Sequence, residues 1–277
     1  GSEKFGLSAD KAQPLKEMGV YFEEHPLLHQ AFEGVCESAK TGKGMPHSSY
    51  AAFHKWMGVQ STQKHQNMLV DTFIPSIGGG AVQEKLAKGG LRVMDVGCGE
   101  GICLFLMAQA FPNNVFVGLD LNEASLSHAK QECSRLKLSN VEFVAQDLTL
   151  PNTDKVVAME GTFDLVFAFD SIHDLPTPDM ALKTCKSLLK ADGSFCMVDI
   201  KARTGIAHNV SNPMAPFMYS ISLLHCMPVG MAEGGMGLGM MWGKERAVAM
   251  LGEAGFSKVA VEEMTFDSFN YHYYCQK

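Results

Sequence analysis

From residue 91 onward, short apolar runs alternate with segments whose apolar residues recur at helical spacing. This alternation indicates βα units, because consecutive parallel strands need a helical crossover between them. The pattern predicts an α/β fold in which helices cover both faces of a parallel sheet. Five strands are expected, at about 91–96, 114–121, 141–145, 163–169 and 194–200. The helices between them are expected at about 101–111, 123–137 and 177–189, with Gly193 ending the last one.

The end of the chain has a different pattern. A helix is expected at 244–254, and two strand patterns follow it at 258–264 and 269–275. Only a short link joins these two strands, so they must run antiparallel to each other. The sequence therefore predicts seven strands in total, the last two forming a hairpin.

The part of the chain before residue 90 has helical patterns and loops but no strand pattern. Four helices are expected there, at about 23–39, 48–57, 61–76 and 81–88. Three consecutive glycines at 78–80 are expected to end the third of them. We predict a helical N-terminal cap or lid at 1–89 beside a domain at 90–277. Gly1-Ser2 resembles the remnant of a cleaved tag, so we expect the natural chain to begin further upstream.

Charge and cysteine content narrow the class of protein. The chain has 23 Lys and Arg against 30 Asp and Glu, a net charge of −7, whereas a nucleic-acid binder needs a dense positive surface. No apolar run reaches the roughly 18 residues of a membrane-spanning helix. None of the eight cysteines belongs to a Cys-x-x-Cys pair, which is typical of reduced intracellular proteins. We therefore expect a cytoplasmic protein with no membrane contact, no bound nucleic acid and no required metal.

A glycine-rich motif lies where the first predicted strand passes into the first helix. Its sequence at 95–101 is Asp-Val-Gly-Cys-Gly-Glu-Gly, in which glycines allow the backbone to approach a ligand closely. Carboxylates follow the next two strands, at Asp120 and Asp147. Since ligands of open α/β sheets bind at the carboxyl ends of the strands, these groups are expected to form one nucleotide site. Asp120 would accept both hydroxyls of a ribose, and Asp147 would accept an adenine amino group.

Each of these residues also has a structural interpretation. The motif at 95–101 can be a tight turn, or it can bind another nucleotide. Asp120 can be a carboxylate that the dipole of the following helix favours. Asp147 can cap its own loop. The combination of all three at neighbouring strand ends favours the nucleotide site.

The motifs at 95–101, 118–120 (Gly-Leu-Asp) and 146–147 (Gln-Asp) resemble those of class I S-adenosylmethionine-dependent methyltransferases. The resemblance covers 90–277 and implies a Rossmann-like seven-stranded sheet with a terminal antiparallel hairpin and helices on both faces. It implies S-adenosyl-L-methionine as the cofactor. The residues that it assigns to this cofactor are Asp95, Gly97, Cys98, Gly99, Gly101, Asp120, Leu121, Gln146, Asp147, Leu148, Phe169 and Asp170.

Further segments, among them 198–201 and 212–217, resemble a subgroup whose members typically carry an N-terminal winged-helix segment. Lys4-Phe5-Gly6-Leu7 is then expected to be the last trace of that segment. Relatives of this kind often dimerise, so a homodimer is a candidate state of this chain.

The segment after the fourth strand faces the methyl group in this family. His173-Asp174 at this position resembles the His-Asp pair of small-molecule O-methyltransferases, in which the histidine is the general base. Histidine titrates near neutrality, which suits the removal of a proton. The alternative is that His173 packs against the cofactor or caps a loop. Asp174 would either orient the imidazole or cap the next helix.

The connection at 201–243 is unusually long and rich in methionine and aromatic residues. Together with part of the N-terminal segment, it is expected either to roof the site or to be ordinary core. Candidate substrate contacts are Tyr50, His54, Trp56, His208, Tyr219, His225 and Trp242. Such a roof favours a small, partly apolar methyl acceptor.

Two functions of different classes follow. The first is an enzyme that transfers a methyl group by in-line displacement to a small molecule, at oxygen, nitrogen, sulfur or carbon. The second is a non-catalytic module that senses the cofactor and is coupled to a winged-helix DNA-binding segment missing from this sequence. The sequence shows no basic groove of the kind that methylation of RNA or protein would need.

Overall fold

A computed structural model of the chain describes residues 24–277, so Lys4-Phe5-Gly6-Leu7 lies outside the described part. The sheet has seven strands in the order β3-β2-β1-β4-β5-β7-β6. The strands are β1 Arg92–Val96, β2 Val115–Asp120, β3 Val141–Ala145, β4 Phe163–Phe169, β5 Leu189–Ile200, β6 Lys258–Glu263 and β7 Asn270–Gln276. Strands β1 to β5 pair in parallel, and β7 is antiparallel to both neighbours. The predicted sheet and terminal hairpin are therefore confirmed.

Helices precede, connect and follow these strands. They are α1 Glu24–His29, α2 Phe32–Thr41, α3 Ala51–Met68, α4 Ala81–Lys88, α5 Ile102–Ala110, α6 Glu123–Arg135, α7 Asp154–Met159, α8 Pro178–Leu188, α9 Ala215–Ile221, α10 Met227–Gly230 and α11 Lys244–Glu253. Two π-helical turns, Leu69–Phe73 and Ser222–Cys226, extend α3 and α9. The sequence patterns had not indicated α7, which begins where the Thr153 hydroxyl accepts the Val156 amide.

Both faces of the sheet are buried, because neighbouring residues of a strand point to opposite faces. One face packs its apolar side chains, such as Met94 and Val166, against α7, α8 and α11. The other face, with Val93 and Leu165 among its residues, packs against α4, α5 and the π turn after α3. The carboxyl ends of the parallel strands are thereby fixed relative to one another and form one edge.

Two predicted helices near the N-terminus are a single helix. The pattern suggested a break between 57 and 61, but α3 runs through Gly58 without interruption and continues through the π turn to one helical turn at Ile74–Ser76. A helical glycine costs only about 1 kcal/mol, which the packing of a long helix outweighs. The helix predicted at 23–39 is instead two helices, separated between His29 and Phe32.

The helix before β5 ends one residue from its expected position, but the role predicted for Gly193 as its stop was wrong. Helix α8 ends at Leu188, and β5 begins at Leu189, so Gly193 lies in the strand and not after the helix. The pairing of β4 with β5 shifts between Phe163 and Leu165, and a Cβ at Gly193 would lie 3.0 Å from the carbonyl oxygen of Phe163. Gly193 thus permits a close approach of the two strands at this irregularity.

The helical N-terminal part and the long connection share an apolar cluster. Tyr50 and Phe53 pack there with Ile221 and Val229, which come from α9 and α10. The two segments are therefore packed against each other, as expected for parts that cover one edge of the sheet. No helix within residues 24–277 is both long enough and apolar enough to span a membrane.

Candidate active site

The glycine-rich turn leaves β1 in left-handed backbone conformations. The φ angles of Gly97, Gly99 and Gly101 are 71°, 53° and 84°, which L side chains rarely adopt. A Cβ at Gly97 would also lie 2.8 Å from the Cβ of Ser171. The Gly97 amide donates to the carbonyl of Leu119 at 2.8 Å, which ties the turn to β2. The buried Cys98 follows in the same turn.

Two carboxylates lie beside this turn. Asp120 accepts the Gly99 amide with Oδ2 and the Asn122 amide with Oδ1, each at 2.8 Å. A carboxylate oxygen has two acceptor positions, so Asp120 can still accept two ribose hydroxyls, and it fits the predicted cofactor role. Asp95 is buried, and burial is the main reason why its pKa lies well above the ordinary value, with the charge of Asp120 adding to it.

The adenine end of the predicted site is arranged differently. Asp147 Oδ1 accepts the amide of Thr149 at 2.8 Å and its hydroxyl at 2.6 Å, which is the loop-capping arrangement. Gln146 donates its side-chain amide to the Asp147 carbonyl. Leu121 is exposed, whereas Leu148 is buried in the core. Contacts of these four residues with an adenine stay a prediction.

Asp170, directly after β4, is held in a strained position. Its φ of 50° lies in the left-handed region, and its Oδ1 is buried and lacks a hydrogen-bond partner among the described residues. Burial raises the pKa of Asp170 to about 6, and the charge of Lys64 opposes that shift. A strained, desolvated carboxylate at a strand end is typical of functional sites.

A small cavity adjoins Asp170. Its wall is mostly apolar and comes from the end of α3, the following π turn, the ends of β4 and β5 and the loop between β6 and β7. The lining residues are Lys64, His65, Met68, Leu69, Phe73, Phe169, Asp170, Val198, Phe266 and Asp267. Lys64 forms an ion pair with Asp267 at 2.7 Å. The helical segment therefore contributes to this cavity, with residues at least two helical turns beyond the predicted Tyr50, His54 and Trp56.

His173 is buried, and its ring is fixed by a carboxylate that the sequence analysis did not assign to the site. Asp199 Oδ1 lies 2.9 Å from His173 Nδ1 and also accepts the indole N–H of Trp242 at 3.0 Å. Burial alone would lower the pKa of His173, but the charges of Asp199 and Asp174 outweigh it and raise that pKa well above the ordinary value. Asp199 thus has the orienting role that had been considered for Asp174.

Asp174 lies on the other side of the same imidazole. Its Oδ1 is 3.4 Å from His173 Nε2, and its Oδ2 is 4.0 Å from His225 Nδ1. His225 Nδ1 is also 3.5 Å from the sulfur of Cys226. Its other nitrogen, Nε2, lies 2.8 Å from Nε2 of His54. Folding therefore joins His54, His225 and the His173-Asp174 pair into one buried polar cluster.

Other predicted substrate residues have structural roles. Tyr50 is buried and donates its hydroxyl to the carbonyl of Leu224 at 2.8 Å. Trp56 stacks on Phe53 in the cluster between the N-terminal helices and the long connection. Trp242 is 3% exposed, so it acts on the site through Asp199 rather than by touching a substrate.

His208 and Tyr219 make their contacts within the long connection. His208 is exposed, and its Nδ1 lies 2.7 Å from the carbonyl of Thr204. The Tyr219 hydroxyl accepts the side-chain amide of Asn209, and its ring packs in a separate small cluster. Neither residue lines the cavity beside Asp170.

Comparison with known proteins identifies the family. A family model described as a methyltransferase domain matches residues 87–254, more than half of the chain. Ubiquinone biosynthesis O-methyltransferase of Haemophilus ducreyi is 34% identical over 106 residues, 38% of this chain and 43% of that protein. (S)-Tetrahydroprotoberberine N-methyltransferase of Eschscholzia californica is 27% identical over 122 residues, 44% of this chain and 33% of that protein. The chain therefore matches less than half the length of either curated relative.

The fold has solved counterparts as well. An O-methyltransferase family protein from Burkholderia thailandensis superposes with a TM-score of 0.68 at 16% identity, covering 94% of this chain and 71% of that one. At this identity the likeness concerns the fold alone. Since the family model covers the strands that carry the glycine-rich turn and Asp120, the chain belongs to the class I family of S-adenosylmethionine-dependent methyltransferases.

Proposed function

We propose that this chain methylates a small molecule with S-adenosyl-L-methionine as the donor. The observation that carries the proposal is the arrangement of one sheet edge. There the turn at 97–101 and Asp120 adjoin the end of β4, where Asp170 borders a mostly apolar cavity. Donor and acceptor would thereby meet at the ends of neighbouring strands β1 and β4, as ligands do in open α/β sheets.

The cofactor half consists of the residues assigned from the motifs. Asp120 would hold the ribose, and the turn at 97–101 would let the backbone approach the cofactor closely, while Asp147 and its neighbours would border the adenine. S-Adenosylmethionine carries its methyl group on a sulfonium, which is already a strong methyl donor. The protein therefore has to orient the two reactants, exclude water and remove a proton where the acceptor carries one.

We assign the acceptor half to the cavity beside Asp170, whose wall is mostly apolar with charged groups at Lys64, Asp170 and Asp267. Such a wall suits a small and partly apolar acceptor. At its present size the cavity has room for about one water molecule, so it would have to widen when an acceptor binds. One of the two relatives above is named as an O-methyltransferase and the other as an N-methyltransferase, so oxygen and nitrogen are both candidate acceptor atoms here.

His173 is the candidate general base, and Asp199 positions it. The bond to Asp199 fixes Nδ1 and leaves Nε2 as the nitrogen that can take a proton. Burial would lower the pKa of His173, but the charges of Asp199 and Asp174 raise it, so a proton already on Nε2 would have to leave before the ring could accept another. An acceptor that needs no deprotonation would use His173 only as a charged group.

Binding of S-adenosylhomocysteine, measured by calorimetry, tests the cofactor half. We expect binding by the wild type and affinity about 10–100-fold lower in Asp120→Asn, because a hydrogen bond to a charged group contributes about 1.5–3 kcal/mol. Glu123→Gln, an exposed carboxylate at the start of α6, is the matched control. Absence of binding by the wild type would refute the cofactor assignment.

Turnover tests the acceptor half. The protein is incubated with a metabolite extract and isotopically labelled donor, and methylated products are identified by mass spectrometry. Binding of the cofactor without any product would favour the sensor hypothesis instead. With an acceptor in hand, His173→Gln should lower turnover about 10²–10⁴-fold and leave cofactor affinity unchanged. The exposed His208, changed to Gln, is the control, and normal turnover in His173→Gln would show that His173 removes no proton.

A further inference from the structure

Three side chains from two distant segments of the chain present metal-ligating atoms to one largely buried point. One ligand atom each from His173, Asp174 and Cys226 lies within 4.8 Å of the other two. His173 and Cys226 are 5% and 4% exposed. More than fifty residues separate them in the chain, so no ligand spacing was visible in the sequence. The fold creates the grouping by placing the π turn Ser222–Cys226 against the segment after β4.

The ring nitrogens of both nearby histidines are oriented as in metal sites. His173 uses Nδ1 to bind Asp199 at 2.9 Å, which directs Nε2 towards Asp174 at 3.4 Å. His225 uses Nε2 to contact His54 at 2.8 Å, which directs Nδ1 towards the Cys226 sulfur at 3.5 Å. Metal-ligating histidines almost always engage their second nitrogen in this manner, and a carboxylate is a common partner.

The charge of the cluster also favours a cation. The carboxylates of Asp174 and Asp199 flank a single imidazole, beside the Cys226 thiol. Asp174 Oδ1 is buried and has no hydrogen-bond partner among the described residues. A buried carboxylate oxygen left in this way is costly unless a cation or a donor compensates it. A metal ion at the centre would supply that compensation.

The donor set indicates the class of metal. Nitrogen, oxygen and sulfur ligands together are typical of zinc and of divalent ions that replace it, with Zn–N near 2.0 Å and Zn–S near 2.3 Å. A tetrahedral ion with such bonds holds its ligand atoms about 3.3–3.8 Å apart. The 3.4 Å between His173 Nε2 and Asp174 Oδ1 already matches this spacing, and the ligand atoms of His173, Asp174 and Cys226 all lie within 4.8 Å of one another.

We propose that His173 Nε2, an Asp174 carboxylate oxygen and Cys226 Sγ bind one divalent transition-metal ion of the zinc class as its three protein ligands. Binding converts the Cys226 thiol to a thiolate and displaces the Nε2 proton of His173, and both protons pass to solvent. The ion occupies the nitrogen that the candidate base would use. Bound zinc therefore inhibits methyl transfer. This inhibition rests on the proposed function, whereas the existence of the metal site does not depend on it.

Cobalt(II) added to the metal-free protein tests the site, because a thiolate ligand gives cobalt a charge-transfer absorption in the near ultraviolet. We expect one equivalent to bind with this absorption and one equivalent of zinc to abolish it. Cys226→Ser should lose the absorption, and Cys185→Ser, an equally buried thiol on α8, should keep it. Asp199→Asn should keep the absorption and lower affinity about 10–100-fold, as expected when the partner of a ligating histidine is changed.

Two results would overturn the metal site: absence of stoichiometric cobalt binding by the wild type, or an undiminished charge-transfer absorption in folded Cys226→Ser. Circular dichroism checks that each variant is folded. If Cys226→Ser does not fold, Asp174→Asn is tested in its place. We expect Asp174→Asn to bind cobalt more weakly than the wild type, and unchanged binding would count against the site. Turnover is measured separately. If cobalt binds but zinc does not change turnover, the metal site is confirmed and inhibition by zinc is refuted. If the protein transfers no methyl group at all, the proposed function fails, but the result of the cobalt-binding experiment is unaffected.

Discussion

Replacing Asp170 with asparagine is expected to remove a pH-dependent penalty on folding. Burial is the main cause that raises the pKa of Asp170 from 3.8 to about 6, and the charges of Asp199 and Asp267 act in the same direction. Lys64 and His173 act against it, since positive charges favour the carboxylate. The net effect is a buried acid that the native state prefers to keep protonated.

The sign and size of the penalty follow from linkage. A folded-state pKa above the unfolded value means that the native state binds the proton more tightly between about pH 4 and pH 6. The free energy of unfolding therefore falls as the pH rises through this window. One pKa unit corresponds to about 1.4 kcal/mol, so the shift from 3.8 to about 6 costs about 3 kcal/mol at neutral pH. Asparagine carries no charge and tolerates the left-handed φ of position 170.

Urea unfolding at several pH values from about 4 to about 8 measures the effect. Over this range the free energy of unfolding of Asp170→Asn should rise by about 2–3 kcal/mol relative to the wild type. Asp192→Asn, an exposed carboxylate within β5, is the control and should show no comparable change. A difference that is constant with pH, or that grows in favour of the wild type, would refute the reasoning. It would mean that Lys64 stabilises the carboxylate more than burial destabilises it.

Four further substitutions test the packing and the hydrogen bonds of the fold. Gly118→Ala should destabilise the fold by about 1–3 kcal/mol in urea unfolding, because a Cβ there would lie 2.6 and 2.7 Å from two buried side chains. Gly58→Ala, at a position on α3 with no packing contact within 4 Å of the added Cβ, should instead stabilise the fold by about 0.5–1 kcal/mol. Asp199→Asn should lower turnover at unchanged cofactor affinity, measured by labelled-methyl transfer and calorimetry, since it disturbs the orientation of the candidate base. Tyr50→Phe should cost about 0.5–1.5 kcal/mol of unfolding free energy through loss of the bond to Leu224, and no loss would show that this bond contributes nothing to stability.

The sheet and the turn at 97–101 could be predicted because their determinants are local. The parallel strands contain short contiguous apolar runs, and the turn is a contiguous motif that needs left-handed glycines. Asp120 follows its strand directly, so the rule that parallel strands share one edge was sufficient to place it beside the turn. Asp147 shows the limit of this rule. The rule places Asp147 at the ligand-binding edge of the sheet, but it does not predict that the carboxylate accepts from Thr149 in its own loop.

The acceptor half could not be predicted, because its contacts depend on how distant elements are packed. Asp199 reaches His173 because β5 pairs beside β4 with Phe169 opposite Val198, a register that no local pattern specifies. Cys226 reaches the same imidazole because α9 continues into a π turn, and helical periodicity does not indicate such a turn. The sequence suggested a roof of aromatic residues, but most of these satisfy hydrogen bonds or fill apolar clusters.

The course of helix α3 explains why the residues predicted to roof the site are not the ones that line the cavity. Its helix α3 continues past Gly58, so the residues over the cavity are those near Lys64 and in the turn Leu69–Phe73, while Tyr50 and Phe53 face the long connection. One helix therefore serves two contacts, with the cavity at its end and with the apolar cluster at its start. The boundary expected at residue 89 consequently divides the pocket, because the pocket wall comes from both sides of that boundary. Under the proposed function the helical segment belongs to the acceptor site, so changes in how α3 packs should alter acceptor binding before they alter cofactor binding.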